Sequence, residues 1–300
     1  MCAKYSPFNW DDIRIFLAVA RHGQILSASK ALGLNHATVA RRLSALETAL
    51  GSKLLIRRTN GSDLSEEGQR FLLHAEKMES EMLVARQNVG AESAVEGTVR
   101  IGAPDGFGVA FLAPRLIELA DRHKGLQLEL VPVPRAFSLS RREADVAVTL
   151  ERPREGRLIA GKLTDYHLRL YAARHYLERR GTPETIEQLA EHSLVGYVED
   201  LLYTASLDYT GEFLKVWNST VSVSSAMGQT AAVRSGAGIG ILHTFMANGS
   251  PELVPVLSQR YLKRSYWTVV HEDLRAIGRI ALVIDFINEI VARERAVFLA

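Results

Sequence analysis

Apolar positions in the first part of the chain recur at helical spacing. In Asn9–Gly23, "NWDDIRIFLAVARHG", residues Ile13, Phe16, Leu17 and Ala20 form one stripe. Asn9 suits the N-cap, Asp11 and Asp12 suit the positive end of the helix dipole, and Gly23 stops the helix. A second, short helix is predicted over Ser27–Leu32, with Ser27 as cap and Gly33 as stop. Asn35 then caps a third, "NHATVARRLSALETALG", whose Val39, Leu43, Leu46 and Leu50 face inward. Two short helices joined through a tight glycine-containing turn make a helix-turn-helix pattern. "SKLLIRRTNGSDLSEEG" reads as strand, turn and strand with Asn60-Gly61 at the turn, a hairpin able to form a wing.

Ser65 can cap a long helix reaching about Val89. Its Phe71, Ala75, Met78, Met82, Ala85 and Val89 alternate steps of four and three, a coiled-coil-like seam for which an identical helix is the simplest partner. "GAESAVEG", Gly90 to Gly97, reads as a hinge. From Thr98 onward strands and helices alternate, which predicts an α/β body. "TVRIGAP" is a strand, "FLAPRLIELADRH" a helix, "LQLELVPV" and "ADVAVTL" strands. "HLRLYAA", "SLVGYV" and "STVSVSS" follow, then a helix over Ala226–Arg234, "GIGILH", "LVPVL", "SYWTVVH" and a final helix around Gly278–Ala292. Open α/β sheets bind ligands at the carboxyl ends of their strands, near helix N-termini.

Composition, 47% hydrophobic and 23% charged, is that of an ordinary globular protein. The net charge of +2 hides an asymmetry. Residues 1–65 hold nine Lys/Arg against four acids, so a basic head of +5 sits on a body of −3, as expected of a head that meets a polyanion. Cys2 is the only cysteine, so no disulfide forms within the chain, which fits a reducing, cytoplasmic setting. Residues 1–20 lack a signal-peptide pattern and no apolar run approaches membrane-spanning length, so no membrane is expected.

With the apolar stripe of the third helix packed inward, its first turn is free for a DNA major groove. His36, Ala37, Thr38 and Arg42 are placed to meet base edges, Arg41 bases or phosphate, and Arg57 and Arg58 of the hairpin the phosphates of a neighbouring groove. The competing reading is a three-helix bundle with a solvated basic face. In the body, Asp105 follows the first strand, and Ser225 and Ser140 open helices. His243 ends "GIGIL", Thr149 ends a strand, and Tyr203 and Tyr209 are candidate cleft walls; each is a candidate effector contact, though capping serves Asp105, Ser140 and Ser225 equally well. No G-x-S-x-G, H-E-x-x-H or G-x-x-x-x-G-K-[ST] pattern occurs, and "GAPDGFG" lacks the dinucleotide spacing, so neither an enzyme nor a cofactor is expected.

From Trp10 to about Leu73 the chain resembles the winged helix-turn-helix of LysR-type transcriptional regulators. "IFLAVARHG", "SASKALGLNHATVARRLSALETALGSKLLIRR" and "LSEEGQRFL" carry the resemblance, in family order and spacing. Ala40 departs from it, standing where family members commonly have serine. The body is similar to the family's two-lobed, periplasmic-binding-protein-like effector domain through "VRIGAP", "READVAVTLERP", "VRSGAGIGIL" and "HEDLRAIGRIALVIDFI". The resemblance implies a head over 1–65, a linker and dimerisation helix over 66–96, and an effector domain over 97–300. Lobe I would hold 97–164 and 267–300, lobe II 165–266, with crossings near Thr164-Asp165 and Tyr266-Trp267. It also implies a dimer or tetramer on pseudo-palindromic promoter DNA and a small-molecule effector between the lobes. Relatives often carry Ser or Thr near Asp105 to hold an effector carboxylate, and many have proline at His243. The alternative is a small-molecule binding protein or an enzyme with a non-functional head.

Overall fold

The computed structural model describes residues 9–58, 61–89, 95–133 and 143–299. It divides into two compact units, Met1–Ser93 and Ala94–Ala300.

In the first unit, α1 (Trp10–His22), α2 (Ile25–Leu32) and α3 (His36–Leu50) enclose a core of Ile13, Phe16, Leu17, Val39, Leu43 and Leu46. Asn9 and Asp12 close α1 with a reciprocal capping box, so one cap satisfies two otherwise orphaned amides. The expected cap at Ser27 is corrected: α2 begins at Ile25 with Gln24 in the cap position, and Ser27 lies inside the helix. The left-handed turn at Gly23 leads almost directly into the helix, and Ile25 packs on the core one turn sooner than Ser27 alone would indicate.

The wing is β1 (Leu55–Arg58) paired antiparallel with β2 (Gly61–Leu64), Leu55 opposite Leu64. Its base is tied to α3 by buried Glu47, whose Oε1 accepts from the Leu54 and Leu55 amides while Oε2 meets Lys53 Nζ at 2.6 Å. Residues 59–60 of the predicted turn lie outside the described residues. Ser65 caps α4 (Glu66–Val89) by accepting from the Gly68 amide at 2.9 Å. The predicted seam divides along that helix. Phe71 and Ala75 join the head core, Phe71 meeting Phe16 edge-on at 5.2 Å, and Arg21 pairs with Glu79 at 2.6 Å. Met78, Met82 and Ala85 are exposed, as is Leu73; the Val89 side chain and residues 90–94 of the hinge lie outside the described residues.

The second unit is built on one eight-stranded sheet. Its strands are β3 (Gly97–Ala103), β4 (Leu126–Pro132), β5 (Val146–Thr149), β6 (Leu158–Ala173), β7 (Leu194–Gly196), β8 (Ser219–Ser222), β9 (Ile239–His243) and β10 (Leu253–His271). They lie in the order β4-β3-β5-β10-β6-β9-β7-β8, with α5 (Leu116–Arg122), α6 (Arg174–Arg180), α7 (Ala226–Arg234), α8 (Thr244–Ala247), α9 (Gly278–Arg293) and α10 (Arg295–Leu299) among them. Two expectations are corrected. "LVPVL" and "SYWTVVH" are the two ends of a single strand, β10, which pairs with β6 from Leu253↔Ala173 to His271↔Leu158. Between them the ladder is interrupted from Leu257 to Arg260 and resumes at Tyr261↔Arg169, and this polar stretch is largely exposed, so it gives no apolar pattern to read. The helix expected over "FLAPRLIELADRH" begins at Gly106 as a π turn and tightens to 3₁₀ around Pro114 before α5, because proline lacks the amide that a regular α turn requires.

β6 and β10 are the two crossings between the three parallel strands β3, β4 and β5 at one end of the sheet and β7, β8 and β9 at the other. Tyr266 pairs with Thr164, and a bulge separates Tyr266 from Trp267. Beside it, Asp165 accepts from Ser265 Oγ at 2.6 Å and pairs with Lys162 at 2.7 Å and Lys263 at 2.9 Å. Burial alone would raise this carboxyl, but those three partners outweigh it and hold Asp165 far below the usual carboxylate range. The crossing is therefore stitched by charge as well as by the ladder.

Candidate functional site

Two surfaces collect the polar groups that packing does not use, one on each unit. On the head, Asn35 sets the start of α3 by accepting from the Ala37 amide at 2.8 Å. With Val39, Leu43 and Leu46 buried, the opposite side presents His36, Ala37 and Arg41 exposed and Thr38 half-buried. Arg41 makes no ion pair among the described residues, and its neighbour behaves differently. Arg42 turns back to α1, meeting Asp12 at 2.9 Å, Asp11 at 3.1 Å and Asn9 Oδ1 at 3.3 Å. Its guanidinium pKa is raised, chiefly by the hydrogen bond to Asp11. Arg42, predicted as a base-edge contact, braces α3 against α1 in this structure, and Arg41 is the α3 cation without an ion pair among the described residues. Arg58 pairs with Asp63 at 2.9 Å with both side chains largely exposed, a contact of at most about 1 kcal/mol. The Arg57 side chain and Ser140 lie outside the described residues.

In the body, the carboxyl ends of β3, β5 and β9 and the N-terminus of α7 converge on one small cavity of about 20 Å³. Asp105, predicted to face an effector or cap a helix, lines this cavity and makes no side-chain cap to its own helix. It reaches across to α7, where its Oδ2 accepts from Ser225 Oγ at 2.6 Å and from the Met227 amide at 3.1 Å. Ser225 also accepts from the Gly228 amide, so one serine caps the helix and bonds Asp105 at once. Gly106 permits this approach: a Cβ there would sit 3.0 Å from Met246 Sδ and 3.2 Å from Ala226 Cβ.

His243 lies at the cavity floor, buried and stacked on Tyr166 at 5.1 Å, and burial pushes its pKa down to about 4 with Asp105 opposing weakly. Tyr166 in turn stacks on Tyr266 at 4.2 Å, and Tyr266 meets Phe107 at 4.9 Å, so one aromatic column crosses the sheet at the bulge. Tyr203 and Tyr209 line the cavity as well, joined by Tyr197 and Tyr266, which the sequence reading did not single out. Thr149 does not line it; its hydroxyl donates to the Glu151 carbonyl, and Leu150 takes the wall position. The Glu151 side chain, also missed, accepts from Ser206 N at 2.9 Å, Ser206 Oγ at 2.8 Å and Thr204 Oγ1. Nothing local marks Glu151 or Tyr197, because their partners are distant in the chain.

Among the described residues no group of three or more His, Cys, Asp or Glu is arranged to hold a metal ion, and no helix is long and apolar enough to cross a membrane.

Comparison with known proteins covers the same two units. Residues 10–69 match the family model of the bacterial regulatory helix-turn-helix protein, lysR family, and residues 92–292 match the LysR substrate binding domain. The transcriptional regulator CrgA of Neisseria meningitidis is 27% identical over 289 residues, covering 94% of this chain and 96% of its own. The glycine cleavage system transcriptional activator of Escherichia coli is 26% identical over 306 residues, covering 99% and 98%. The solved structure of CrgA superposes with a TM-score of 0.58 at 25% identity over 94% of this chain and 98% of that one. A full-length OxyR from Pseudomonas aeruginosa shares the fold, with a TM-score of 0.70 at 17% identity over 95% and 94%.

Proposed function

Because the chain belongs to the LysR family of DNA-binding transcriptional regulators, we propose that α3 reads the major groove of promoter DNA with Arg41 as its leading cation. The observation that carries this reading is the contrast within α3: its stripe is buried and Arg42 is engaged with α1, whereas the side chains of His36, Thr38 and Arg41 make no ion pair among the described residues and, with Ala37, form the free first turn and flank. His36, Ala37 and Thr38 meet base edges, Arg41 a guanine or a phosphate, and Arg57 and Arg58 of the wing the adjacent backbone. The exposed Arg58–Asp63 pair exchanges readily for a phosphate.

The exposed Leu73, Met78 and Met82 of α4 favour burial against a second copy, which makes the regulator a cytoplasmic dimer or tetramer with two recognition helices on half-sites related by a two-fold axis. The head spans 1–65, the linker 66–96 and the effector domain 97–300. A small-molecule effector binds between lobe I, residues 97–164 and 267–300, and lobe II, residues 165–266, with Asp105, Tyr203, Tyr209 and His243 lining its cavity and Ser225 bonded to Asp105. Its occupancy shifts the packing of the lobes about β6 and β10, and so the spacing of the heads.

The experiment is capture of genomic fragments by the full-length protein at near-physiological salt, followed by sequencing. A shared, two-fold-related site upstream of particular genes is the expected result. Fragments without a common site would count against the regulator reading.

A further inference from the structure

Granting that the interlobe cavity is the effector site, we propose that its ligand is a small organic cation, an alkylammonium or methylated ammonium, held by Asp105 within a cage of tyrosines. Among the described residues Asp105 is the only charged side chain on the cavity wall, and Tyr197, Tyr203, Tyr209 and Tyr266 supply much of the rest. Aromatic faces and a carboxylate together are the environment that recognises a desolvated ammonium. The polar floor does not offset the charge. His243 stays neutral near neutral pH because burial lowers its pKa to about 4. The hydroxyls of Tyr203, Tyr209 and Tyr266 are pushed up by burial and also by the field of Asp105, so they too stay neutral. Three described cations near the crossing are engaged elsewhere, Arg264 with Glu212, and Lys162 and Lys263 with Asp165.

An anionic ligand meets the opposite conditions. The place where a carboxylate would bind, the first turn of α7 with Ser225 Oγ and the Met227 amide, is already filled by Asp105 Oδ2. An incoming anion would have to displace that group and leave Asp105 charged beside it. A cation needs no such exchange, because both of these hydrogen bonds fall on Oδ2 and Oδ1 retains its acceptor capacity.

The closed cavity, about 20 Å³, holds little more than one water, so the ligand enters with the lobes apart. Two carboxylate contacts between lobes hold them closed, Asp105 on α7 and Glu151 on the Thr204–Ser206 turn. A cation on Oδ1 leaves the first of these in place but needs more room than the closed cavity has, which couples ligand occupancy to lobe packing.

The test is calorimetric titration of the full-length protein with choline, with its uncharged isostere 3,3-dimethylbutan-1-ol and with 3,3-dimethylbutanoate; ethylammonium repeats the cationic arm at smaller size. Choline or ethylammonium is expected to bind at least about tenfold more tightly than the alcohol, the carboxylate not at all, and Asp105→Asn is expected to abolish the preference. The comparison of charges on the unmodified protein stands even where Asp105→Asn lowers stability. Equal binding of cation and alcohol, tighter binding of the carboxylate, or no binding by either cation would overturn the proposal. Duplex binding by the same sample separates the two readings: DNA binding without cation binding overturns the ligand class alone, whereas cation binding without DNA binding overturns the regulator reading alone.

Discussion

Gly68→Ala is expected to destabilise the head strongly, even though alanine is the better helix former. Gly68 lies in the first turn of α4, where intrinsic propensity favours alanine by about 1 kcal/mol. A Cβ at this position would fall 2.0 Å from the Leu54 carbonyl oxygen and 2.9 Å from its carbon. Neither partner has room to retreat. The Leu54 carbonyl accepts from the Ser65 amide at 3.0 Å, the Leu54 amide donates to Glu47 at 2.9 Å, and the Leu54 side chain is in the core. Ser65 is held as well, donating from Oγ to the Lys53 carbonyl at 2.6 Å and accepting from the Gly68 amide. The wing base and the start of α4 are thus locked together through backbone, and an inserted methyl must separate them. The expected loss is about 3 kcal/mol or more, at the upper end for overpacking. Hydrogen exchange resolves the two units. Amides of α1, α2 and α3 should exchange roughly 100-fold faster in Gly68→Ala while those of the body stay unchanged. Slower exchange in the head would mean that helix propensity prevails and the close approach is not rigid.

Acid is expected to weaken the body through His243. Burial lowers the pKa of this imidazole in the folded chain from 6.5 to about 4, so between those values the unfolded chain binds a proton that the folded chain does not. Stability contributed by the neutral folded state is therefore intact above about pH 6.5 and falls as the pH drops toward 4. The full span amounts to about 3 kcal/mol. His167 and His192 are also lowered by burial and add to the slope, so the informative quantity is a difference. Urea unfolding of the wild type and of His243→Leu, at neutral pH and near the folded pKa, should give a clearly smaller acid loss in the variant. Equal losses would show that water or a compensating charge reaches His243 in the folded state.

What the sequence makes legible here is what local chemistry decides. The caps at Asn9, Asn35, Ser65 and Ser225 each satisfy amides two or three residues away, so short windows suffice to place them. The bounds of α3 and α7 follow from such signals, whereas α2 begins where a tertiary contact of Ile25 begins. The length of β10 is hidden for a similar reason, since pairing with β6 resumes at Tyr261 beyond an exposed polar interruption that no apolar face marks. At the sites, the exposed turn of α3 follows from its buried stripe, but nothing in "ARRL" distinguishes Arg41 from Arg42. That difference is made by Asp11 and Asp12, some 30 residues earlier. Asp105 shows the same limit on a larger scale, because its partner Ser225 lies 120 residues away.

The central claim is that the exposed turn of α3 grips duplex DNA, and salt dependence of binding tests it most directly. Affinity for a captured duplex is measured across a range of salt for the wild type and for Arg41→Ala, a change that touches no ion pair among the described residues. Loss of a phosphate contact should weaken binding about tenfold and reduce the salt slope by about 1, whereas loss of a guanine contact should relax sequence preference at one position with a similar loss of affinity. Unchanged affinity, slope and sequence preference in Arg41→Ala would contradict the account.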